Sequence, residues 1–226
     1  MRTVFTLLFL LIAGTSFSQL GSAGKPDYKA IEKGIAKKKS PYHYPGLFKR
    51  YLAGDSTMTM EEERHLYYGF TFRDEYDPYG RSEYEDSLQS MFVKDTIVYD
   101  DYLKIIDYTN KIIEKYPFDL SALSYRTYAY RMTDQPEEYE RSRTQMYLIL
   151  RVILTSGDGI SAETAFYVIC VPDEYEVLSA LEYSFGGSQS LIGQCDYLRI
   201  GENSEDIEGL YFNVSPSLNY LSKMFK

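Results

Sequence analysis

Residues 98–153, VYDDYLKIIDYTNKIIEKYPFDLSALSYRTYAYRMTDQPEEYERSRTQMYLILRVI, decide the fold, because their apolar positions repeat at helical spacing through three successive segments. Val98, Tyr102, Ile105, Ile106, Thr109, Ile112, Ile113 and Tyr116 follow one another at steps of three and four, which makes a single stripe along a helix. Pro117 ends that stripe by biasing its predecessor away from helical angles, and Asp119 is placed to cap the next helix. The second helix carries two stripes, Leu120, Leu123, Thr127, Tyr130 and Ala122, Tyr125, Ala129, Met132. A helix apolar on two sides is sandwiched between neighbours. Asp134-Gln135-Pro136 opens a third helix with Tyr139, Met146, Ile149, Leu150 and Ile153 on its apolar face.

The rest of the chain bounds the answer. Its 226 residues are 44% apolar, which excludes global disorder and suits one good-sized domain. With 24 Lys and Arg against 33 Asp and Glu the net charge is −9, so nucleic acid and anionic membrane surfaces are poor partners. The one basic run, Lys37-Lys38-Lys39, reads as a solvated helix end. Tyrosine is abundant, with 24 Tyr and 12 Phe but no Trp, so rings that pack while keeping a polar tip dominate the aromatic surface.

Arg2, a nearly unbroken apolar run over residues 4–13, and Ser16-Phe17-Ser18 make residues 1–18 a secretory signal with cleavage before Gln19. The run is about ten residues, too short for a hydrocarbon core of about 30 Å, so no membrane insertion is expected after cleavage. Cleavage would remove Arg2 and take the charge from −9 to −10. No cysteine follows the cleavage point before Cys170, so a lipid anchor is not expected. Residues 19–25 read as a flexible leader and residues 26–226 as one domain.

Within that domain, Pro26 opens a helix carrying Tyr28, Ile31, Ile35 and Ala36. Tyr42-His43-Tyr44-Pro45 reads as a non-helical connection before a short helix with Leu47, Phe48, Tyr51 and Leu52. Thr59 with Glu62 is a capping box for a helix through Tyr68, residues 70–84 are a loop rich in rings and acids, and a further helix covers about 82–92. The string Tyr44-Pro45, Leu47, Arg50-Tyr51, Gly54-Asp55, Leu66-Tyr67-Tyr68-Gly69, Tyr76 and Pro78-Tyr79 resembles the signature of exported bacterial proteins grouped as domain of unknown function 4919. Cys195-Asp196 and Tyr211-Phe212-Asn213-Val214 fit the same resemblance, which spans nearly all of the mature chain. It implies a compact periplasmic protein of Gram-negative bacteria and transfers no catalytic residue. Ile112-Ile113 before Tyr116-Pro117 is also similar to the closing part of a tetratricopeptide repeat, although no second copy follows at that period.

After Gly157-Asp158-Gly159 the period changes. Residues 165–171, 191–200 and 207–214 read as three strands of an antiparallel meander, with a short helix in 173–184 and a closing helix from Ser215-Pro216. The expected fold is α+β: a helical stack with tetratricopeptide-like hairpins over 26–156, then a small three-stranded antiparallel sheet and a C-terminal helix over 157–226.

Chemistry is thinly signalled. No Gly-x-Ser-x-Gly elbow, phosphate loop or His-Glu-x-x-His string occurs, and two histidines leave little for zinc, so no catalytic residue, metal or cofactor is assigned. Glu61 and His65, four apart, suit a helix-stabilising pair better than a metal. Asp74-Glu75-Tyr76-Asp77 has oxygens for calcium but not EF-hand spacing, and reads as a solvated loop. Cys170 and Cys195 sit on predicted neighbouring strands and admit either a disulfide or two buried thiols. The candidate binding residues are Tyr42, Tyr44, Tyr76, Tyr79, Asp74 and Asp77, with Tyr67 and Tyr68 assigned to the core. The function expected is a non-catalytic binding or scaffold module for a protein, peptide or glycan. The alternative is a hydrolase of cell-wall or dietary glycans using carboxylates near residues 74–79.

Overall fold

The computed structural model describes residues 23–225. The signal at 1–18 and the leader through residue 22 lie outside the described residues. The end of the expected leader is tied down: the Ala23 and Gly24 N–H groups donate to the Thr155 carbonyl, and Arg64 donates to the Lys25 carbonyl.

Helix α1 (Tyr28–Ala36) starts where the Asp27 carboxylate accepts the Ala30 N–H, and buries Ile31 and Ile35. Helix α2 (Tyr44–Leu52) begins earlier than the sequence reading placed it, because Pro45 falls in the first turn, where no N–H is needed. Helix α3 (Met60–Tyr67) has the expected capping box, with Thr59 and Glu62 exchanging hydrogen bonds, and runs into a 3-10 turn at Tyr68–Phe72. Helix α4 (Glu85–Phe92) starts later than expected because the Glu85 carboxylate accepts the Ser82 N–H and holds residues 82–84 as a turn.

The deciding stretch folds as three antiparallel neighbours, α5 (Tyr99–Lys115), α6 (Leu120–Met132) and α7 (Pro136–Leu154), with no strand among them. Tyr102, Ile105, Thr109, Ile112 and Ile113 are the buried stripe of α5. Asp119 caps α6, accepting the Ala122 N–H at 2.8 Å. Both stripes of α6 are covered except at the end, where Met132 is 43% exposed. Buried Arg126 ties the three helices together, donating to Asn110 on α5 and to Ser142 and Gln145 on α7.

The C-terminal part keeps the α+β class and corrects the sheet. It contains four strands, β1 (Phe166–Tyr167), β2 (Phe185–Ile192), β3 (Cys195–Ile200) and β4 (Gly209–Asn213), in the order β1-β4-β3-β2. The β1–β4 pair is parallel and the other two are antiparallel, so the sheet is mixed rather than a three-stranded meander. Residues 191–200 are not one strand: Ile192 pairs with Cys195 across a two-residue turn whose Gly193 sits at φ +66°. Only two residues of 165–171 are strand, because Pro172 opens α8 (Pro172–Ala180) and the chain turns before it. Helix α9 (Ser215–Met224) closes the chain as expected.

Tyrosine hydroxyls fasten the two parts. Tyr68 donates to the Tyr167 carbonyl at 3.2 Å and Tyr76 to the Ile169 carbonyl at 2.5 Å. Tyr51 donates to the Pro117 carbonyl at 2.7 Å, fixing α2 on the α5–α6 turn. The Ile169 and Pro117 carbonyls lie outside any ladder, so these bonds supply the partners a buried chain requires.

Candidate functional site

A cavity of about 660 Å³ opens where the 76–81 loop and α4 face the start of α6 and residues 169–176. Its walls are largely apolar, with Phe70, Tyr76, Tyr79, Tyr116, Phe118 and Tyr125 supplying rings. The same cavity is lined by Asp119, Asp173 and Glu176, by Asp77 and Glu85, and by the cation Arg81.

The three inner acids are placed by helix starts. Asp119 is the α6 cap, and burial raises its pKa against the backbone N–H groups it accepts. Asp173 lies in the first turn of α8 and is pushed up to about 7 by burial, although the Tyr67 hydroxyl at 2.5 Å and the Cys170 thiol both donate to it. Glu176, on the same helix, accepts from the Ser121 hydroxyl and is raised by burial and then by Asp119. Burial, and then Asp173, push the Cys170 thiol well up, so it is no thiolate nucleophile. Each inner carboxyl therefore has a protein donor, while burial and their mutual proximity disfavour the charged forms of all three.

The expected site residues divide. Tyr76, Asp77 and Tyr79 come together on the cavity wall, Tyr76 buried and Tyr79 46% exposed. Asp74 is exposed on the same loop and is not among the lining residues. Tyr42 stacks on His65 with ring centroids 3.9 Å apart, and Tyr44 is buried against Phe48, so both belong to the N-terminal helices. Tyr67 and Tyr68 are core residues. His65 bonds the Glu61 carbonyl at 2.7 Å and faces its carboxylate at 3.8 Å, the helix pair read from the spacing. Among the described residues no group of three or more His, Cys, Asp or Glu is arranged to hold a metal ion.

Cys170 and Cys195 are free thiols, so the disulfide alternative is not formed. Cys170 lies in the turn before α8 beside Asp173, whereas the Cys195 sulfur opens β3 facing the Ala162 carbonyl and Asn213. Asp119, Asp173 and Glu176 were missed as site residues. The available signal was an acid set inside apolar sequence, Phe118-Asp119-Leu120 and Val171-Pro172-Asp173, where a cap is buried with its helix.

Fold and cavity define a class: an α+β protein with a helical stack and a small mixed sheet, and a ring-lined pocket with acidic groups between the 76–81 loop, α4, the start of α6 and the start of α8. Such an architecture does not itself specify an activity. The sequence profile of a domain of unknown function (DUF4919) matches residues 29–223, and the chain belongs to that family. No curated protein and no solved structure shows a significant match.

Proposed function

We propose that this protein is an exported, periplasmic binding module without catalytic activity, and that its cavity holds part of a peptide, protein or glycan partner. The observation that carries this reading is the cavity itself, about 660 Å³ with rings on its walls, in the range of small-ligand sites. What favours binding over bond cleavage is that Asp119, Asp173 and Glu176 each already serve a protein donor. A glycosidase needs one carboxyl free to protonate a leaving group and another facing a water or the sugar. Tyr79, a candidate from the sequence, is exposed on this wall and would meet the partner first, with buried Tyr76 behind it. The tetratricopeptide-like hairpin before Pro117 fits a scaffold role, and export is supported by the pattern of residues 1–18.

The test has two arms. Mass spectrometry of the mature chain is expected to place its N-terminus at Gln19. Calorimetric titration of peptide and oligosaccharide sets is expected to give saturable binding that a Tyr79→Ala variant weakens, with no product released. Turnover of a glycan by the purified protein, or retention of residues 1–18, would overturn the corresponding half of the reading.

A further inference from the structure

We infer that the outer edge of β2 receives an extended polypeptide strand that carries a basic end. No residue of β2 lines the cavity, so this is a second surface and does not rest on the binding reading above. In the order β1-β4-β3-β2 this strand stands last, and among the described residues it pairs with β3 alone. Alternate residues of an antiparallel strand point their N–H and C=O groups away from the partner, so β2 presents unpaired donors and acceptors along its outer side. Edges are usually blunted by charge, proline or a bulge. Phe185–Ile192 contains neither charge nor proline. Its bulge covers only the first half, where the register shifts between Phe185 and Gln189 and Gly187 takes φ +86°. Residues 189–192 pair regularly with residues 198–195 of β3. The Gln189 side chain holds that half in place, donating to Asp196 at 2.7 Å and accepting from the Tyr175 hydroxyl at 2.7 Å. Leu191 and Ile192 are 56% and 49% exposed and, as neighbours in a strand, face opposite sides of the sheet, so an added strand finds apolar contact on both.

Charge complementarity selects the occupant. Phe185 pairs with Ile200, so the start of β2 and the end of β3 lie at one end of the sheet. Glu182 precedes β2 there, and Glu202, Glu205, Asp206 and Glu208 occupy the connection from β3 to β4. Glu163 stands near Cys195 at the other end, by the β2–β3 turn. All six are exposed, and none forms an ion pair among the described residues. Arg199 is the only cation within residues 152–222. A second copy of this chain, itself at −9, would bring acids against acids when it paired at β2. A strand with lysines or arginines beside the Phe185 end meets opposite charge instead. Its middle bonds the regular half of β2 through the backbone, and its basic end runs past the bulge to the acids and fixes direction.

The experiment is calorimetric titration of the mature protein with short peptides of alternating valine and threonine that end in a lysine run, in a glutamate run, or in a lysine run with every valine and threonine amide N-methylated. The lysine peptide is expected to bind at least about tenfold more tightly than the glutamate peptide, equivalent to ~1.4 kcal/mol, and the N-methylated peptide not at all. Hydrogen exchange in the lysine complex is expected to slow at residues 189–192 and to stay unchanged at residues 169–176 of the cavity wall. Glu202→Gln with Asp206→Asn removes two exposed charges, and asparagine tolerates the φ of +55° at position 206. This variant is expected to weaken the lysine peptide by about threefold or more. Because the peptide series is run on the unsubstituted chain, a variant that fails to fold leaves the test intact. Equal binding of the two charge forms, undiminished binding of the N-methylated peptide, or no binding by any of them overturns the inference. So does slowed exchange confined to residues 169–176, which assigns the peptide to the cavity. Sedimentation of a dimer whose residues 189–192 are already protected assigns the edge to a second copy and overturns it as well.

Discussion

The Tyr67 hydroxyl donates to the Asp173 carboxylate at 2.5 Å while its oxygen accepts the Ile169 N–H at 3.2 Å. One fully buried side chain on α3 thus serves both the turn before α8 and the helix's first acid. Phenylalanine fills the same space but satisfies neither group. Tyr67→Phe is expected to cost about 1–3 kcal/mol for the orphaned Ile169 N–H, with Asp173 left on the Cys170 thiol, read as a drop in the urea midpoint. Tyr99→Phe, at an exposed ring, is the control and should shift stability by no more than about 0.5 kcal/mol. Equal midpoints for the two variants would show that the Tyr67 hydroxyl does not fasten the parts.

How legible each piece was follows from where its determinants lie. The α5–α7 hairpins are written locally, since Ile105, Ile112, Leu123 and Ile149 repeat at the period of the helix they build, and all four are buried. Strand β2 is not written locally: Phe185-Gly186-Gly187-Ser188-Gln189-Ser190-Leu191-Ile192 has no alternation, and every residue of it is exposed. Its pairing with β3 creates it, with a register shift between Phe185 and Gln189 that no pattern announces. The cavity was half legible. Tyr76, Asp77 and Tyr79 cluster in sequence, but Asp119 and Asp173 stand far apart in the chain and meet only when α6 and α8 pack.

The Arg151 guanidinium on α7 bonds the Glu63 carboxylate on α3, whose side chain is 1% exposed. Removing the arginine strands a charge where water cannot reach it, which typically costs about 3–5 kcal/mol. Arg151→Met is therefore expected to be severely destabilising. The double variant Glu63→Met with Arg151→Met, which removes both charges, should recover most of that loss in chemical denaturation. A double variant no more stable than the single would show that the pair's packing, not its charge, matters.

Both thiols are expected to be present without any reductant. Ellman titration in strong denaturant should count two per chain, the content of the sequence. Native protein should react slowly, since burial is the leading cause that raises both thiols and Cys195 is itself buried. Fewer than two thiols in unreduced denatured protein would mean that a disulfide forms in the exported chain after all.

Stability should fall as pH rises from about 5 to 9. Asp173 is held at about 7 and Glu174 at about 9, both chiefly by burial, against unfolded values near 4. An acid whose pKa is raised by folding binds its proton more tightly in the native state, so its contribution is complete below about pH 4 and is lost as pH climbs through the native value. Asp173 is surrounded by Tyr67, Cys170, Asp119 and Glu176. Glu174 faces Asp196 on β3, and the Gln189 amide on β2 donates to Glu174 at 3.2 Å and Asp196 at 2.7 Å, so its ionisation sets two carboxylates against each other. Asp55, lowered to about 2 by Thr57 and Arg50, works in the opposite sense, but its contribution is already complete by pH 5. Urea midpoints at pH 5, 7 and 9 should therefore decline, and Glu174→Gln should flatten the step between 7 and 9. A midpoint that rises over this range, or a glutamine variant with an unchanged slope, would contradict the assignment of that proton to Glu174.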